Sequence, residues 1–177
     1  GEQLDLLSQA GVSPHSVDIE MLALANAWEA GQSGKEGGVV ALIHIGGRAT
    51  LLDFVQGNKL RFAREIPVGG TAFTLAVSQG LKVDLAEAER IKCRPGERAQ
   101  EVRAALQPSW DDWLNRCRTS FDFFENQHGV RVERIALSGG ASRMAGFKEW
   151  VKEASGFPAE LWSAGGQEDP ALNVAVG

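Results

Sequence analysis

Between residues 39 and 66 the hydrophobic pattern is that of strands, a nearly continuous apolar run at 39–45 and an alternation of apolar and polar residues at 59–66. A period of two is typical of β-strands, and it predicts strands at Val39–Ile45, Thr50–Val55 and Lys59–Ile66. Glycine-containing turns separate the three strands, so we expect an antiparallel meander. In the third strand the alternation places one set of side chains on a single face: Leu60, Phe62, Arg64 and Ile66.

A helical period follows, and it predicts helices at about Thr71–Gln79, Leu85–Lys92 and Arg98–Gln127. The last of these carries large apolar residues spaced to form one buried stripe. The stripe consists of Trp110, Trp113, Leu114, Cys117, Phe121 and Phe124. Pro108 is expected to break or kink this helix near its start, because proline removes a backbone donor.

Shorter segments lie on both sides of these elements. Upstream, the spacing predicts a helix at Gln3–Ala10, a strand at Ser16–Ile19 and a helix at Glu20–Ala30, followed by the glycine-rich linker Gly31–Gly38. Downstream, it predicts three elements and then a helix from Pro170: a strand at Arg131–Leu137, a helix at Ala145–Ala154 and a strand at Pro158–Trp162. This order predicts an α/β fold with a helical insertion.

Composition and charge narrow the functional classes. The 177 residues carry 18 Lys and Arg against 23 Asp and Glu, a net charge of -5, which argues against bulk nucleic-acid binding. The longest uncharged run, Ile66–Leu81, is too short and too polar for a membrane span. No signal peptide is recognisable, and both ends suggest a fragment. Cys93 and Cys117 are expected to be reduced thiols, which points to the cytosol.

Three glycine-containing turns follow the ends of predicted strands and are candidate binding sites: Ile45–Thr50, Gly69–Thr71 and Ser138–Ser142. Main-chain N–H groups in such turns can form a concavity for an anion such as phosphate. A missing Cβ also lets a flat ligand approach the backbone. Each turn alone is more often only a turn, so the functional interpretation depends on their order along the chain.

That order resembles the actin-like ATPase superfamily, and within it the PilM-like type IV pilus assembly proteins, relatives of FtsA. Four segments carry the resemblance: Gly46–Thr50, Arg64–Gly70, Ala88–Lys92 and Leu137–Ser142. The resemblance implies an actin-like (ribonuclease H-like) second lobe together with the tail of the first lobe. Residues 1–36 would end the first lobe, 37–168 would form the second with its helical insertion at about 69–129, and 169–177 would start a return helix.

The resemblance also implies a nucleotide site. Gly46, Gly47, Arg48 and Thr50 match the second phosphate loop, and Gly69 and Gly70 match a turn beside the phosphates. Glu89 and Lys92 would reach the nucleoside, and Gly139, Gly140 and Ala141 would contact adenosine. Two alternatives stay open on the residues alone: Glu89 and Lys92 could be a solvated helix pair, and Arg48 a solvated turn residue.

Two departures from the family pattern bear on activity. His44 stands where these ATPases usually carry the Asp that helps to hold Mg²⁺, and a neutral imidazole is a poor Mg²⁺ ligand. No match to the first phosphate loop lies upstream of Gly38. The cofactor implied is therefore ATP with Mg²⁺ only where the full-length cleft is intact. No metal site of the chain itself and no catalytic residue is predicted.

The function expected from the resemblance is a cytoplasmic scaffold of type IV pilus assembly that binds nucleotide weakly or not at all in this fragment. Its partner would be a PilN-like inner-membrane protein held by the first lobe, and self-association is open. One alternative is an ATPase or phosphotransferase, for which Asp53 is the nearest carboxylate in sequence. Another is the cytoplasmic domain of a GspL-like type II secretion protein.

Overall fold

The structure is a computed structural model that describes residues 20–31 and 37–163. The predicted helix at Gln3–Ala10, the strand at Ser16–Ile19 and the helix from Pro170 lie outside these residues. The strands are β1 Val39–Ile45, β2 Thr50–Gln56, β3 Lys59–Ile66, β4 Val132–Ser138 and β5 Ala159–Leu161. The α-helices are α1 Glu20–Gly31, α2 Gly70–Leu81, α3 Leu85–Cys93, α4 Ala99–His128 and α5 Phe147–Ser155. Two short 3₁₀ helices are Gly96–Arg98 and Gly140–Arg143.

The five strands form one mixed sheet in the order β3-β2-β1-β4-β5. The predicted meander is confirmed, since β1, β2 and β3 pair antiparallel in sequence order. β4 joins β1 in parallel after the helical insertion, and β5 joins β4 in parallel. The carboxyl ends of β1 and β4 therefore meet at the same edge of the sheet, where ligands bind in open α/β folds.

The prediction that Leu60 lies on the same face of β3 as Phe62 was wrong. Phe54 pairs with Phe62 and Val55 pairs with Leu60, so Arg61 has no partner across the strand pair. This extra residue is a β-bulge, and it reverses the alternation on its far side. Leu60 consequently packs on the opposite face of the sheet from Phe62.

The sheet has a core on each face. The larger core lies between the sheet and helices α2 to α5, and it includes the predicted apolar stripe of α4, all of it buried. The smaller core lies against α1, where Trp28 meets Trp162 edge to face with ring centroids 5.1 Å apart. Burial on both faces explains why β1 reads as a continuous apolar run.

The long helix α4 runs through Pro108 without a break, so the predicted break is wrong. Leu106 before the proline and Trp110 after it are both buried in the same core. The apolar stripe therefore holds both halves of the helix against the sheet, and this burial outweighs one missing hydrogen bond. Both cysteines are free thiols, as predicted, with Cys93 exposed and Cys117 buried. Within the described residues, none of the helices combines the length and apolar character needed to span a bilayer.

Candidate functional site

A cleft of about 420 Å³ opens at the carboxyl ends of β1 and β4. Its walls come from four places in the sequence: the β1–β2 hairpin, the start of α2, the last turn of α3, and the turn after β4. The lining residues are Gly46, Gly47, Gly70, Thr71, Glu89, Lys92, Cys93, Gly140 and Ala141. The fold thus brings together the three glycine turns and the Glu89–Lys92 pair that the sequence singled out.

The hairpin and the start of α2 are joined through their main chains. The N–H of Gly46 donates to the carbonyl of Ala49 at 3.0 Å, which closes the hairpin. The N–H of Gly70 donates to the carbonyl of Gly46 at 2.9 Å, and that of Thr71 to the carbonyl of Gly47 at 2.8 Å. These two donors at the start of α2 are therefore used by the hairpin and are not free for an anion.

Two of the predicted site glycines lie behind the cleft wall. A Cβ on Gly69 would lie 2.6 Å from the carbonyl oxygen of Gly46, and a Cβ on Gly139 would lie 2.4 Å from that of Ile45. Gly139 also has a φ of +86°, in the region that favours glycine. Both residues therefore let neighbouring backbones approach closely, which is a sufficient reason for glycine at each position.

Thr50 also lies behind the wall, fully buried. Its hydroxyl donates to the carbonyl of Val68 at 2.7 Å and accepts the indole N–H of Trp113 at 3.0 Å. The side chain thus connects β2, the segment before α2, and α4. These contacts account for Thr50 at the end of the hairpin without a ligand.

Lys92 is buried at the floor of the cleft, with 4% of its side chain exposed. Its Nζ donates to Glu89 Oε2 at 2.6 Å, to Thr74 Oγ1 at 2.8 Å and to the carbonyl of Gly70 at 3.2 Å. An ammonium group has three protons, so all of its donors are used. The alternative of a solvated helix pair therefore does not describe Lys92, which ties α3 to the start of α2.

Glu89 lies beside it with about half of its side chain exposed. Partial burial alone would raise the pKa of this carboxyl, but hydrogen bonds from Lys92 and Thr74 lower it below its ordinary value. The side chain is therefore a carboxylate that accepts hydrogen bonds at the rim of the cleft. Cys93 Sγ lies 3.6 Å from Glu89 Oε1, which brings an exposed thiol to the same rim.

His44 occupies the end of β1, next to the hairpin. It is 9% exposed, and its Nδ1 lies 3.1 Å from Ser138 Oγ on the neighbouring strand β4. Burial lowers the pKa of the imidazole, so the ring is neutral at pH 7. The side chain is a buried, hydrogen-bonded strand residue, and it brings no negative charge to the cleft.

Asp53, the carboxylate that an enzyme would need, does not line the cleft. It is fully buried in β2 between Leu42 and Ala63, and neither of its carboxylate oxygens has a hydrogen-bond partner among the described residues. Burial raises its pKa to about 7. The strand alternation places it on the sheet face that α1 covers, between Leu51 and Val55 of the smaller core.

The site residues predicted from the sequence include most of the lining; Thr71 was named only as part of the Gly69–Thr71 turn, and Cys93 was missed. Both follow a predicted site residue directly, so helix phase at the ends of α2 and α3 was the signal that could have found them. Arg48 lies at the exposed tip of the hairpin, beside the lining residue Gly47. Gly140 has open space where a Cβ would stand, which leaves its backbone accessible to a ligand.

Metal-binding chemistry is sparse in the part of the chain described. No group of three or more His, Cys, Asp or Glu side chains within residues 20–31 and 37–163 is arranged to hold an ion. Glu89 is the one carboxylate among the cleft-lining residues, and it is already bonded to Lys92 and Thr74. A hard cation such as Mg²⁺ prefers several oxygen donors, so this donor set does not fit it.

The sheet order, the two-faced core and the glycine turns at one sheet edge define one lobe of an actin-like fold. Solved structures agree. The PilM-PilN type IV pilus biogenesis complex superposes with a TM-score of 0.86 at 24% identity, over 98% of this chain and 55% of that one. MreB 5 of Spiroplasma citri bound to AMPPNP superposes with a TM-score of 0.72 at 15% identity, over 99% of this chain and 61% of that one.

The family model for type IV pilus assembly protein PilM matches residues 1–165. The chain belongs to the PilM family. The cell division protein FtsA of Bacillus subtilis (strain 168) is 34% identical over 93 residues, which cover 52% of this chain and 21% of FtsA. The chain therefore spans a fifth of that relative and little more than half of the solved structures.

Proposed function

We propose that this chain forms the second lobe of a pilus assembly scaffold, and that its cleft binds a nucleotide weakly. The observation that carries the proposal is the convergence of Gly46, Gly47 and Gly140 on one cleft at the carboxyl ends of β1 and β4. Residues 37–168 would be the second lobe, with its helical insertion at about 69–129. Residues 1–36 would be the end of a first lobe, and residues 169–177 the start of a return helix to it.

The geometry supports a nucleotide as the ligand. The N–H groups of Gly47 and Arg48 make no main-chain hydrogen bond among the described residues, so they are free to bind phosphate oxygens. Glu89, a carboxylate at the other side of the cleft, can accept hydroxyl donors such as those of a ribose. The exposed backbone at Gly140 leaves room for a flat base beside Ala141, which also lines the cleft. MreB 5 of Spiroplasma citri, which shares the fold, is described as bound to AMPPNP.

Scaffolding rather than turnover is supported by the side chains around the phosphate hairpin. Hydrolysis needs a carboxylate or another group that positions water near the terminal phosphate. His44 is neutral and bonded to Ser138, and Asp53 is buried away from the cleft. Mg²⁺-dependent turnover by the full-length protein would contradict a pure scaffold and favour the ATPase alternative.

The nucleotide part of the proposal is tested by calorimetry on the full-length protein with ATP and ADP. Gly140→Val places a side chain in the open space of the cleft, and it should abolish or strongly weaken binding. Gly37→Val is the matched control, because Gly37 also has open space around it but precedes β1, at the opposite edge of the sheet. Equal binding by both variants would place the nucleotide elsewhere.

For the partner, we propose the short cytoplasmic tail of a PilN-like inner-membrane protein. Membership of the PilM family and the likeness to the PilM-PilN complex support this partner. The protein would then be cytoplasmic and peripheral to the inner membrane through that contact. A labelled peptide of the tail should bind the full-length protein in fluorescence anisotropy, and Gly140→Val should leave this binding intact. Absence of binding would remove the recruitment function.

A further inference from the structure

Two cationic side chains near the cleft have different roles: Lys92 lines it, and Arg48 follows the lining residue Gly47. Lys92 is buried, and its three protons are held by Glu89, Thr74 and the Gly70 carbonyl. Arg48 is exposed, and its guanidinium makes no hydrogen bond or ion pair with any described residue. Arg48 is therefore a cation that is available to a ligand.

The position of Arg48 suits an anion. It directly follows Gly47, which lines the cleft, and consecutive Cα atoms lie about 3.8 Å apart. The N–H groups of Gly47 and Arg48, which make no main-chain hydrogen bond among the described residues, belong to the same exposed hairpin tip as the Arg48 side chain. Backbone donors and a guanidinium fork at one place offer a phosphate both position and charge.

Neither His44 nor Glu89 offsets the charge of a polyphosphate. The imidazole of His44 is neutral and held by Ser138, so it adds no charge and no oxygen donor for a divalent cation. The carboxylate of Glu89 is bonded to Lys92 across the cleft. A phosphate chain bound at the hairpin would thus meet the positive charge of Arg48.

We propose that Arg48 makes the affinity depend on the number of phosphates of the bound nucleotide. Its guanidinium would neutralise phosphate charge, a role that a metal ion held by this lobe would otherwise have. This inference rests on the proposed nucleotide cleft and adds the source of its specificity. Affinity then increases from adenosine through AMP and ADP to ATP, the increase depends on the guanidinium, and it persists without a divalent cation.

The experiment measures binding of adenosine, AMP, ADP and ATP to the full-length protein by calorimetry, once with EDTA and once with Mg²⁺. Three variants accompany the wild type: Arg48→Gln, Arg48→Lys and Arg131→Gln. Arg131 is a matched control, because it is exposed and precedes β4 at the opposite edge of the sheet. Arg48 lies in an exposed turn, so its variants should keep the thermal stability of the wild type.

In EDTA we expect Arg48→Gln to weaken ATP binding about tenfold and to leave adenosine binding unchanged, because it removes one charge-assisted pair. Arg48→Lys should retain part of the preference for ATP, and Arg131→Gln all of it. The proposal is overturned where Arg48→Gln binds ATP like the wild type, or where ATP binding requires Mg²⁺; in both cases the nucleotide cleft itself stands. Failure of every nucleotide to bind overturns the cleft and this proposal together.

Discussion

The indole N–H of Trp113 donates to the hydroxyl of Thr50 at 3.0 Å, in the interior between α4 and β2. The Thr50 hydroxyl in turn donates to the carbonyl of Val68 at 2.7 Å. The hydroxyl is the centre of a three-part link that positions the segment leading into α2. Because Thr50 and Trp113 are fully buried, the indole N–H cannot turn to water if the hydroxyl is removed.

Thr50→Val keeps the shape of the side chain and removes the hydroxyl, so it should lower the free energy of unfolding by about 1–3 kcal/mol. The physical reason is that the Trp113 N–H and the Val68 carbonyl are left unpaired. Urea unfolding measures the loss, and Thr50→Ser, which keeps the hydroxyl, serves as the control. A variant with valine as stable as wild type would show that the link contributes nothing.

Gly139→Ala should destabilise the fold, since the added Cβ would meet the Ile45 carbonyl in a backbone conformation with φ of +86°. The strained conformation alone costs about 1–3 kcal/mol. The neighbouring change Gly140→Ala meets no atom within 4 Å, and it should alter stability by less than about 0.5 kcal/mol. Thermal melting of the two variants checks the contrast, and equal stabilities would contradict it.

Lys92→Met should lower stability by roughly 1–3 kcal/mol, because Thr74 and the Gly70 carbonyl lose a buried donor. Arg90→Met is the control on the same helix, where an exposed pair with Glu87 is removed at little cost. Chemical denaturation gives both values. Equal losses of unfolding free energy in the two variants would show that the buried contacts of Lys92 stabilise the fold no more than the exposed Arg90–Glu87 pair does.

The stability loss in Lys92→Met should depend on pH through Glu89, whose pKa in the folded state is held below its ordinary value. A depressed carboxyl pKa gives stability that is present above the unfolded pKa and lost as pH falls through the folded one. The stability difference between wild type and Lys92→Met should therefore shrink on acidification below the ordinary glutamate range. NMR titration should show the pKa of Glu89 rising in the variant.

The pH dependence of stability that we expect from Asp53 has the opposite sign to that from Glu89. Burial raises its folded pKa to about 7, so between its ordinary value and pH 7 the folded state holds a proton that the unfolded state has released. Stability therefore falls as pH rises through this window, by several kcal/mol, since each pKa unit is worth about 1.4 kcal/mol.

Asp53→Leu should remove the fall and be more stable than wild type at pH 8. Unfolding free energies from pH 4 to pH 8 measure this, and Asp53→Asn separates the loss of the charge from the gain of an apolar side chain. Parallel curves for wild type and Asp53→Leu would show that Asp53 does not titrate in this window.

Much of the fold follows from local pattern, because strands and helices have distinct periods. β1 and β3 were predicted at their observed bounds, and the apolar stripe of α4 defined its buried face. The bulge at Arg61 could not be predicted, since alternation on its two sides is continuous in sequence. The continuation of α4 through Pro108 depends on tertiary burial, which local propensity does not contain.

At the site, the glycine turns were visible in the sequence, but what each one faces was not. Gly139 and Gly140 are adjacent, yet the first abuts the Ile45 backbone and the second faces open space. Glu89 and Lys92 have the spacing of any exposed helix pair. Only the approach of α2 buries the lysine, through contacts with Gly70 and Thr74.

The two hydrogen bonds from Gly70 and Thr71 to the hairpin carbonyls involve main-chain atoms alone. Their existence therefore does not depend on which side chains occupy the tip of the hairpin. Over evolutionary time that tip could exchange residues, an acid for a neutral side chain or a small residue for an arginine, while these main-chain bonds still join the hairpin to α2. A lineage could thus lose or change its chemistry here and keep the same backbone junction.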